Sequence, residues 1–263
     1  MVRLERMTQM PDVYQSKIVE TVMLAEVVFS VTVVHGDLAK ASSAGQFLHI
    51  KCGVERLLRR PISICTVRGN EVNFVFEVKG EGTRWLSECK PGQVLDILGP
   101  LGNGFTFPEG RIIVVGGGIG TPPMLYTAES ATGGAAAVLG FRDKSKVILK
   151  NEFEAVCDKV FITTDDGSAG IHGSVTKPLT ELLGSGDFCA VMSCGPFNMQ
   201  KAVADLCKDY SVPCQVSLEE RMGCGVGACL VCACATARDG VEHMDRVCID
   251  GPVFYAAEVL WRS

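Results

Sequence analysis

Four cysteines near the C-terminus have the types and spacing to hold a metal cluster. Cys224, Cys229 and Cys232 stand as C-x4-C-x2-C, and Cys248 follows at a distance. This is the spacing of plant-type 2Fe-2S sites. Two irons bridged by two sulfides need four thiolates. A tight loop wraps three of them, and the fourth arrives from another segment. Gly223, Gly225 and Gly227 let the backbone approach and turn its N–H groups toward sulfur. The expected ligands are Cys224, Cys229, Cys232 and Cys248, with Cys234 as a spare facing away. A loop wound differently would swap Cys234 in. The competing reading is zinc, but zinc usually takes paired C-x2-C knuckles, and only one such pair is clean here.

Two patches are suited to a flavin. Arg59-Arg60-Pro61-Ile62-Ser63 sits where a strand begins. In extended backbone Arg60 and Ser63 face one ligand, the guanidinium matching a pyrophosphate and the hydroxyl reaching an isoalloxazine edge. Lys79-Gly80-Glu81-Gly82-Thr83 reads as the start of a helix, whose free N–H groups and Thr83 hydroxyl suit the same phosphates. Each patch alone is ordinary, a strand edge or a capped turn. Their order along the chain, ahead of a dinucleotide half, raises both.

That half is marked by Gly116-Gly117-Gly118-Ile119-Gly120, which follows an apolar strand and precedes a helix. The context fits a phosphate-cradling turn, although the run is not a clean G-x-G-x-x-G. Asp165-Asp-Gly-Ser-Ala-Gly170 ends a later strand and can meet the adenosine end. Ser193-Cys194-Gly195-Pro196 ends another, where open α/β sheets present ligands, so Cys194 is expected near a nicotinamide. No Arg pair stands ready for a 2′-phosphate, which favours NAD over NADP.

The elements that must position these groups come in three blocks. From about 14 to 105 the chain reads as short β-branched strands punctuated by Gly, Asn and Pro, suggesting a small barrel or sandwich. From Arg111 strands alternate with helical stretches, implying a parallel sheet covered on both faces. From about 216 glycines and cysteines crowd together with little periodicity, and such a segment folds around a metal centre.

Composition limits the alternatives. Of 263 residues, 47% are hydrophobic and 21% charged, which is ordinary for a globular protein with real cores. The net charge of -5 and the lack of a basic run argue against nucleic acid. No apolar run is long enough for a membrane span, and no secretory signal layout is seen, so a cytoplasmic location is expected. The thirteen cysteines are odd in number and mostly single (Cys52, Cys65, Cys89, Cys157, Cys189), which fits buried hydrophobes better than a disulfide scaffold.

With these motifs in order, the chain resembles the ferredoxin reductase superfamily, and within it the electron transfer subunits of dihydroorotate dehydrogenase B. The resemblance covers almost everything after residue 14. It rests on Arg60-Pro-Ile-Ser63, Gly80-Glu-Gly-Thr83, Gly99-Pro-Leu-Gly-Asn-Gly104, Gly116-Gly-Gly-Ile-Gly120, Cys194-Gly-Pro196 and the tail Glu219 to Phe254, with Val247-Cys-Ile-Asp-Gly-Pro-Val253 specific to the subfamily. It implies an N-terminal antiparallel β-barrel for FAD (14–108), a parallel-sheet α/β domain for NAD (109–215) and a 2Fe-2S segment (216–263). It also implies FAD contacts at residues 60–63 and 82–83 and at Phe76 and Glu77. Many relatives carry Arg where Glu77 stands, and an acidic side chain cannot pair with phosphate, so contact there falls to the backbone. The implied circuit runs from an FMN-containing catalytic subunit, which oxidises dihydroorotate, through the cluster and FAD to NAD, in a heterotetramer of two plus two. A reductase subunit serving a hydrogenase or a sulfur reductase is the alternative within the superfamily. A zinc-binding interaction protein is the alternative outside it. The first ten residues depart from the pattern and are expected to be dispensable.

Overall fold

The structure, a computed structural model, describes residues 11–55 and 57–262, so the lead-in of ten residues lies outside the described residues. Alternation of apolar residues builds the first unit. Strands β1 (Val13–Ala25), β2 (Val28–Val34), β3 (Phe47–Ile50), β4 (Arg60–Arg68), β5 (Glu71–Glu77) and β6 (Val94–Leu101) close into an antiparallel barrel in the order β1-β2-β5-β4-β3-β6. Every second residue points inward: Val31 and Val33, Leu48 and Ile50, Ile62 and Ile64, Phe74 and Phe76, Leu95 and Ile97. Helices α1 (Gly36–Ala41) and α2 (Glu81–Ser87) add Leu38 and Leu86 to this core. All four residues of β3 are buried, so its outward face is covered too.

The second unit is a seven-stranded sheet. Its parallel strands are β7 (Ile112–Gly117), β8 (Ala135–Phe141), β9 (Lys159–Thr164), β10 (Ile171–His172), β11 (Ala190–Cys194) and β12 (Cys214–Ser217). Between them run α3 (Thr121–Glu129), α4 (Lys150–Val156), α5 (Thr176–Gly184) and α6 (Phe197–Asp209). The middle strands are apolar on both sides because helices cover both faces. Met124 and Leu125 of α3 and Phe153 of α4 pack on one face, and Leu179, Leu182 and Val203 of α5 and α6 on the other. The strand order is β10-β9-β8-β7-β11-β12 with a last strand, β15 (Val253–Tyr255), at the edge, so the direction of winding reverses at β7. A crevice opens at such a switch point, beyond the carboxyl ends of the strands.

The last segment makes a hairpin, β13 (Ala233–Arg238) and β14 (Val241–Arg246), then returns as β15 (Val253–Tyr255) to pair antiparallel with β12. The large sheet therefore takes strands from both sides of residue 215. Two contacts tie this segment to the rest. Asn103 Nδ2, just beyond β6, donates to the Ile249 and Asp250 carbonyls at 2.9 and 3.0 Å. Cys232, Val247, Cys248 and Phe254 share a core with Ile113, Val115 and Val216 of the sheet and with Phe47 and Leu101 of the barrel. No helix among the described residues is long and apolar enough to cross a membrane.

Candidate functional site

The barrel and the sheet meet at a cavity of about 590 Å³. Because β4 and β5 are antiparallel neighbours, the start of one and the end of the other lie at the same barrel end. This brings Arg60, Pro61, Ile62, Ser63, Phe76 and Glu77 to one wall, with Thr83 of α2 beside them. Ile62 and Phe76 belong to the barrel core, so Pro61, Ser63, Val75 and Glu77, the alternate residues, face outward. Glu77 is paired with Lys79 at 3.4 Å.

The two arginines divide their work. Arg59 is committed to Asp96, with Nη2 to Oδ1 at 2.6 Å and Nη1 to the main-chain carbonyl at 2.9 Å. Arg60 is held by the Leu58 and Arg59 carbonyls through Nη1 at 2.8 and 3.2 Å. Its guanidinium lies over Gly82, where a Cβ would stand 2.7 Å from Nε. Gly82 is thus absent from the cavity lining but is the floor beneath Arg60. Thr83 Oγ1 accepts from the N–H groups of Lys79 and Gly80 at 3.0 and 3.2 Å, which fixes the entry to α2.

The opposite wall comes from residues that no motif announced. The run Ser217 to Met222, leaving β12, lines the cavity, together with Ile119 of the glycine turn. Glu219 borders the cavity, and surrounding protein raises its carboxyl above the usual range, with the Lys79 charge opposing.

The glycine turn is shaped by close approach. A Cβ at Gly116 would stand 2.8 Å from Thr121 Cα, and one at Gly120 would stand 2.5 Å from the Cys194 carbonyl oxygen. A Cβ at Gly117 would collide with Met199 and Pro196. Gly118 alone of the four has positive φ, +52°, and open space around it. The turn is therefore pressed onto the Cys194–Pro196 loop at the switch point. Cys194 itself is 1% exposed and packs in the core with Met124 and Met192. Burial, then the Glu219 charge, pushes its thiol well up. It lines neither the cavity above nor a second one of about 360 Å³, which is bordered instead by its neighbours Gly195 and Pro196 and by Gln200.

The thiols fall into two pairs. The Cys229 sulfur accepts from the Cys224 N–H at 3.4 Å, and the Cys232 sulfur accepts from the Cys248 N–H at 3.4 Å. Cys224 Sγ also accepts from the N–H groups of Val226 and Ala228 at 3.4 and 3.3 Å. Burial acts to raise the Cys224 thiol, but these N–H groups and Cys229 outweigh it and bring the thiol down to about 7. Positive φ at Gly225 (+72°) and Gly227 (+77°) creates this nest of N–H groups. Cys248 is pushed up to about 12 by burial and by Cys232. Cys234, on β13, lines the second cavity, and burial and the Asp245 charge push it up to about 12. Among the described residues no three such side chains converge as one metal ion requires. The two pairs lie close enough for the Cys224 charge to act on Cys248, and four thiolates spaced C-x4-C-x2-C with a distant fourth suit two bridged irons.

A barrel joined across a cleft to a doubly wound sheet, with a cysteine-rich third part, is the ferredoxin reductase fold. The flavohem-like FAD/NAD binding domain of nitric oxide dioxygenase from Vibrio cholerae shares it, with a TM-score of 0.66, 18% identity, and coverage of 78% of this chain and 95% of that one. A chain from the NADH-dependent reduced ferredoxin-NADP oxidoreductase, studied for flavin-based electron bifurcation, superposes with a TM-score of 0.84 at 31% identity, covering 94% of this chain and 90% of that one. The iron-sulfur cluster binding domain of dihydroorotate dehydrogenase B matches residues 219–260. The dihydroorotate dehydrogenase B (NAD(+)) electron transfer subunit of Caldanaerobacter subterraneus is 43% identical over 84% of this chain and 89% of its own length. That of Desulforamulus reducens is 37% identical over 96% of this chain and 100% of its own length. The chain belongs to the family of dihydroorotate dehydrogenase B electron transfer subunits.

Proposed function

We propose that the chain is the electron transfer subunit of an NAD-dependent dihydroorotate dehydrogenase in pyrimidine (UMP) biosynthesis. It links an FMN-containing catalytic subunit, through a 2Fe-2S cluster and FAD, to NAD. One observation carries this reading: a wall of the cavity runs directly into the cysteine loop. Ser217–Met222 lines the cavity, and the chain reaches Cys224 two residues later. The 37–43% identity to the subunits of this family favours it over a bifurcating reductase, for which the likeness is 31%.

The residues present fit the groups. A cavity of about 590 Å³ lies within the usual size range of small-molecule sites, and an arginine and a helix start converge on it. Arg60, Ser63, Gly82 and Thr83, with the backbone near Phe76 and Glu77, would hold FAD. The turn Gly116–Gly120 with the loop after Cys194 would hold NAD, and that residue's role is to support the loop. Cys224 with Cys229, and Cys232 with Cys248, would each hold one iron, leaving Cys234 free of iron. When bound, FAD exchanges a hydride with nicotinamide and single electrons with the cluster. The protein orients these groups; none of its side chains is required as acid or base. The division 14–108, 109–215 and 216–263, a two-plus-two heterotetramer and a cytoplasmic location complete the proposal.

The test is a pair of variants purified with the catalytic subunit. Cys224→Ser should abolish dihydroorotate:NAD activity and leave NADH diaphorase activity with an artificial acceptor. Cys234→Ser should keep iron, labile sulfide and full activity. Full dihydroorotate:NAD activity in Cys224→Ser would overturn the circuit, and loss of the cluster in Cys234→Ser would overturn the ligand set.

A further inference from the structure

His49 occupies a position that is expensive for a polar ring. It lies on β3, is 1% exposed, and neither ring nitrogen closes a hydrogen bond, although the ring lies near the Arg59 carbonyl. Its neighbours on the strand show where it points. Leu48 and Ile50 fill the barrel core, so Phe47 and His49 face outward. Phe47 lines the large cavity, as does Pro61, which is the register partner of His49. On its other side the ring meets the cysteine loop. A Cβ at Gly225 would stand 2.5 Å from Nδ1 and 3.1 Å from Cε1. The ring thus stands between the wall of the cavity and the residue following Cys224.

An apolar side chain would fill this space without leaving buried nitrogens unpaired, and Phe47 does so next door. Leaving a buried donor unpaired costs the full desolvation of that group. Burial, and then the Arg59 charge, holds the ring neutral, so it carries one N–H donor and one bare nitrogen. The ring abuts the loop that carries Cys224, and sulfur atoms bonded to iron are acceptors. Hydrogen bonds to the sulfurs are among the factors that set a cluster's potential.

We propose that His49 is a positioning residue of the iron–sulfur site: its ring N–H donates to a sulfur of the cluster bound by the Cys224 loop and raises the potential of that cluster. The inference rests on the reading of these thiols as 2Fe-2S ligands.

The experiment is an EPR-monitored redox titration of the complete complex, wild type against His49→Phe and His49→Asn, with iron, labile sulfide and FAD assayed in each. His49→Phe should retain both cofactors and show a cluster potential about 59 mV more negative, a tenfold change in the one-electron equilibrium. The flavin potential should stay unchanged, and His49→Asn, which keeps a donor, should recover most of the shift. An unchanged potential with the cluster intact would overturn the proposal. A second measurement needs no variant to fold: pulsed EPR of the reduced wild-type complex labelled with 15N-histidine. A 15N coupling at the cluster supports the hydrogen bond, and its absence overturns it. A wild-type complex lacking labile sulfide and the EPR signal would instead defeat the underlying reading, and His49 would fall with it.

Discussion

Gly82→Ala separates ligand binding from folding, because the two effects have opposite signs. A Cβ at residue 82 would stand 2.7 Å from Arg60 Nε and 3.2 Å from Cζ and Nη2. Nε must retreat by roughly 0.8 Å to reach ordinary heavy-atom contact near 3.5 Å. The obstacle is the end of a flexible side chain, so the backbone can stay in place and the arginine gives way. Residue 82 lies in the first turn of α2, where alanine is favoured over glycine by up to about 1 kcal/mol. Stability is therefore expected to hold or rise. Flavin affinity is expected to fall, because a hydrogen bond from a charged group is worth about 1.5–3 kcal/mol, or roughly 10- to 150-fold in Kd. Titration of flavin-stripped protein with FAD, followed by quenching of flavin fluorescence, measures this, and urea unfolding gives the stability. Arg60→Ala should weaken FAD similarly, and adding Gly82→Ala to it should cost little more, since both act through one guanidinium. An unchanged affinity in Gly82→Ala, or full additivity in the double variant, would refute the argument.

Two further outcomes follow from the same geometry. Gly120→Ala meets backbone rather than a movable side chain, 2.5 Å from the Cys194 carbonyl oxygen, so it should lose about 1–3 kcal/mol of stability by urea titration and weaken NADH binding. Wild-type stability in that variant would mean the turn is not pressed on the loop. Glu219 is exposed at the cavity rim, yet the protein crowded around its carboxyl raises it above an ordinary value of 4.5, so the folded state binds the proton more tightly than the unfolded. Stability then falls as pH rises through the interval above 4.5. Between pH 5 and 7 the wild type should lose more stability than Glu219→Gln, and the reverse order would show that Lys79 outweighs desolvation.

Much of the architecture was legible because its signals are local. The barrel strands lie between Val13 and Leu101, and β7 begins at Ile112, where the sequence pattern changes from strands alone to strands alternating with helices. Strand β1 lies inside the stretch expected to form strands, but it carries little signal of its own. Of its thirteen residues only Ser16 and Ile18 are buried, so no alternation develops in the sequence. The three-residue β15 is too short to show any period. The split between Arg59 and Arg60 depends on Asp96, which only the barrel brings near. Cys194 ends a strand as expected, but its thiol turned inward to the core, and a one-residue change of facing is invisible at the end of an apolar run.

The amino-acid sequence alone determined the cysteine spacing, the glycine turn, the Arg-Pro-Ile-Ser run and the order in which they come. These are properties of neighbouring residues, fixed by backbone geometry over a few positions. Tertiary structure decided which of them share a wall. Closure of the barrel set β1 and β3 on either side of β6, and the return of β15 to β12 drew the cysteine segment against β3. Only then did Ser217–Met222 become a cavity lining and His49 a buried neighbour of the Gly225 loop. Contacts of this kind join residues far apart in the chain, and the packing that selects them is a property of the whole fold.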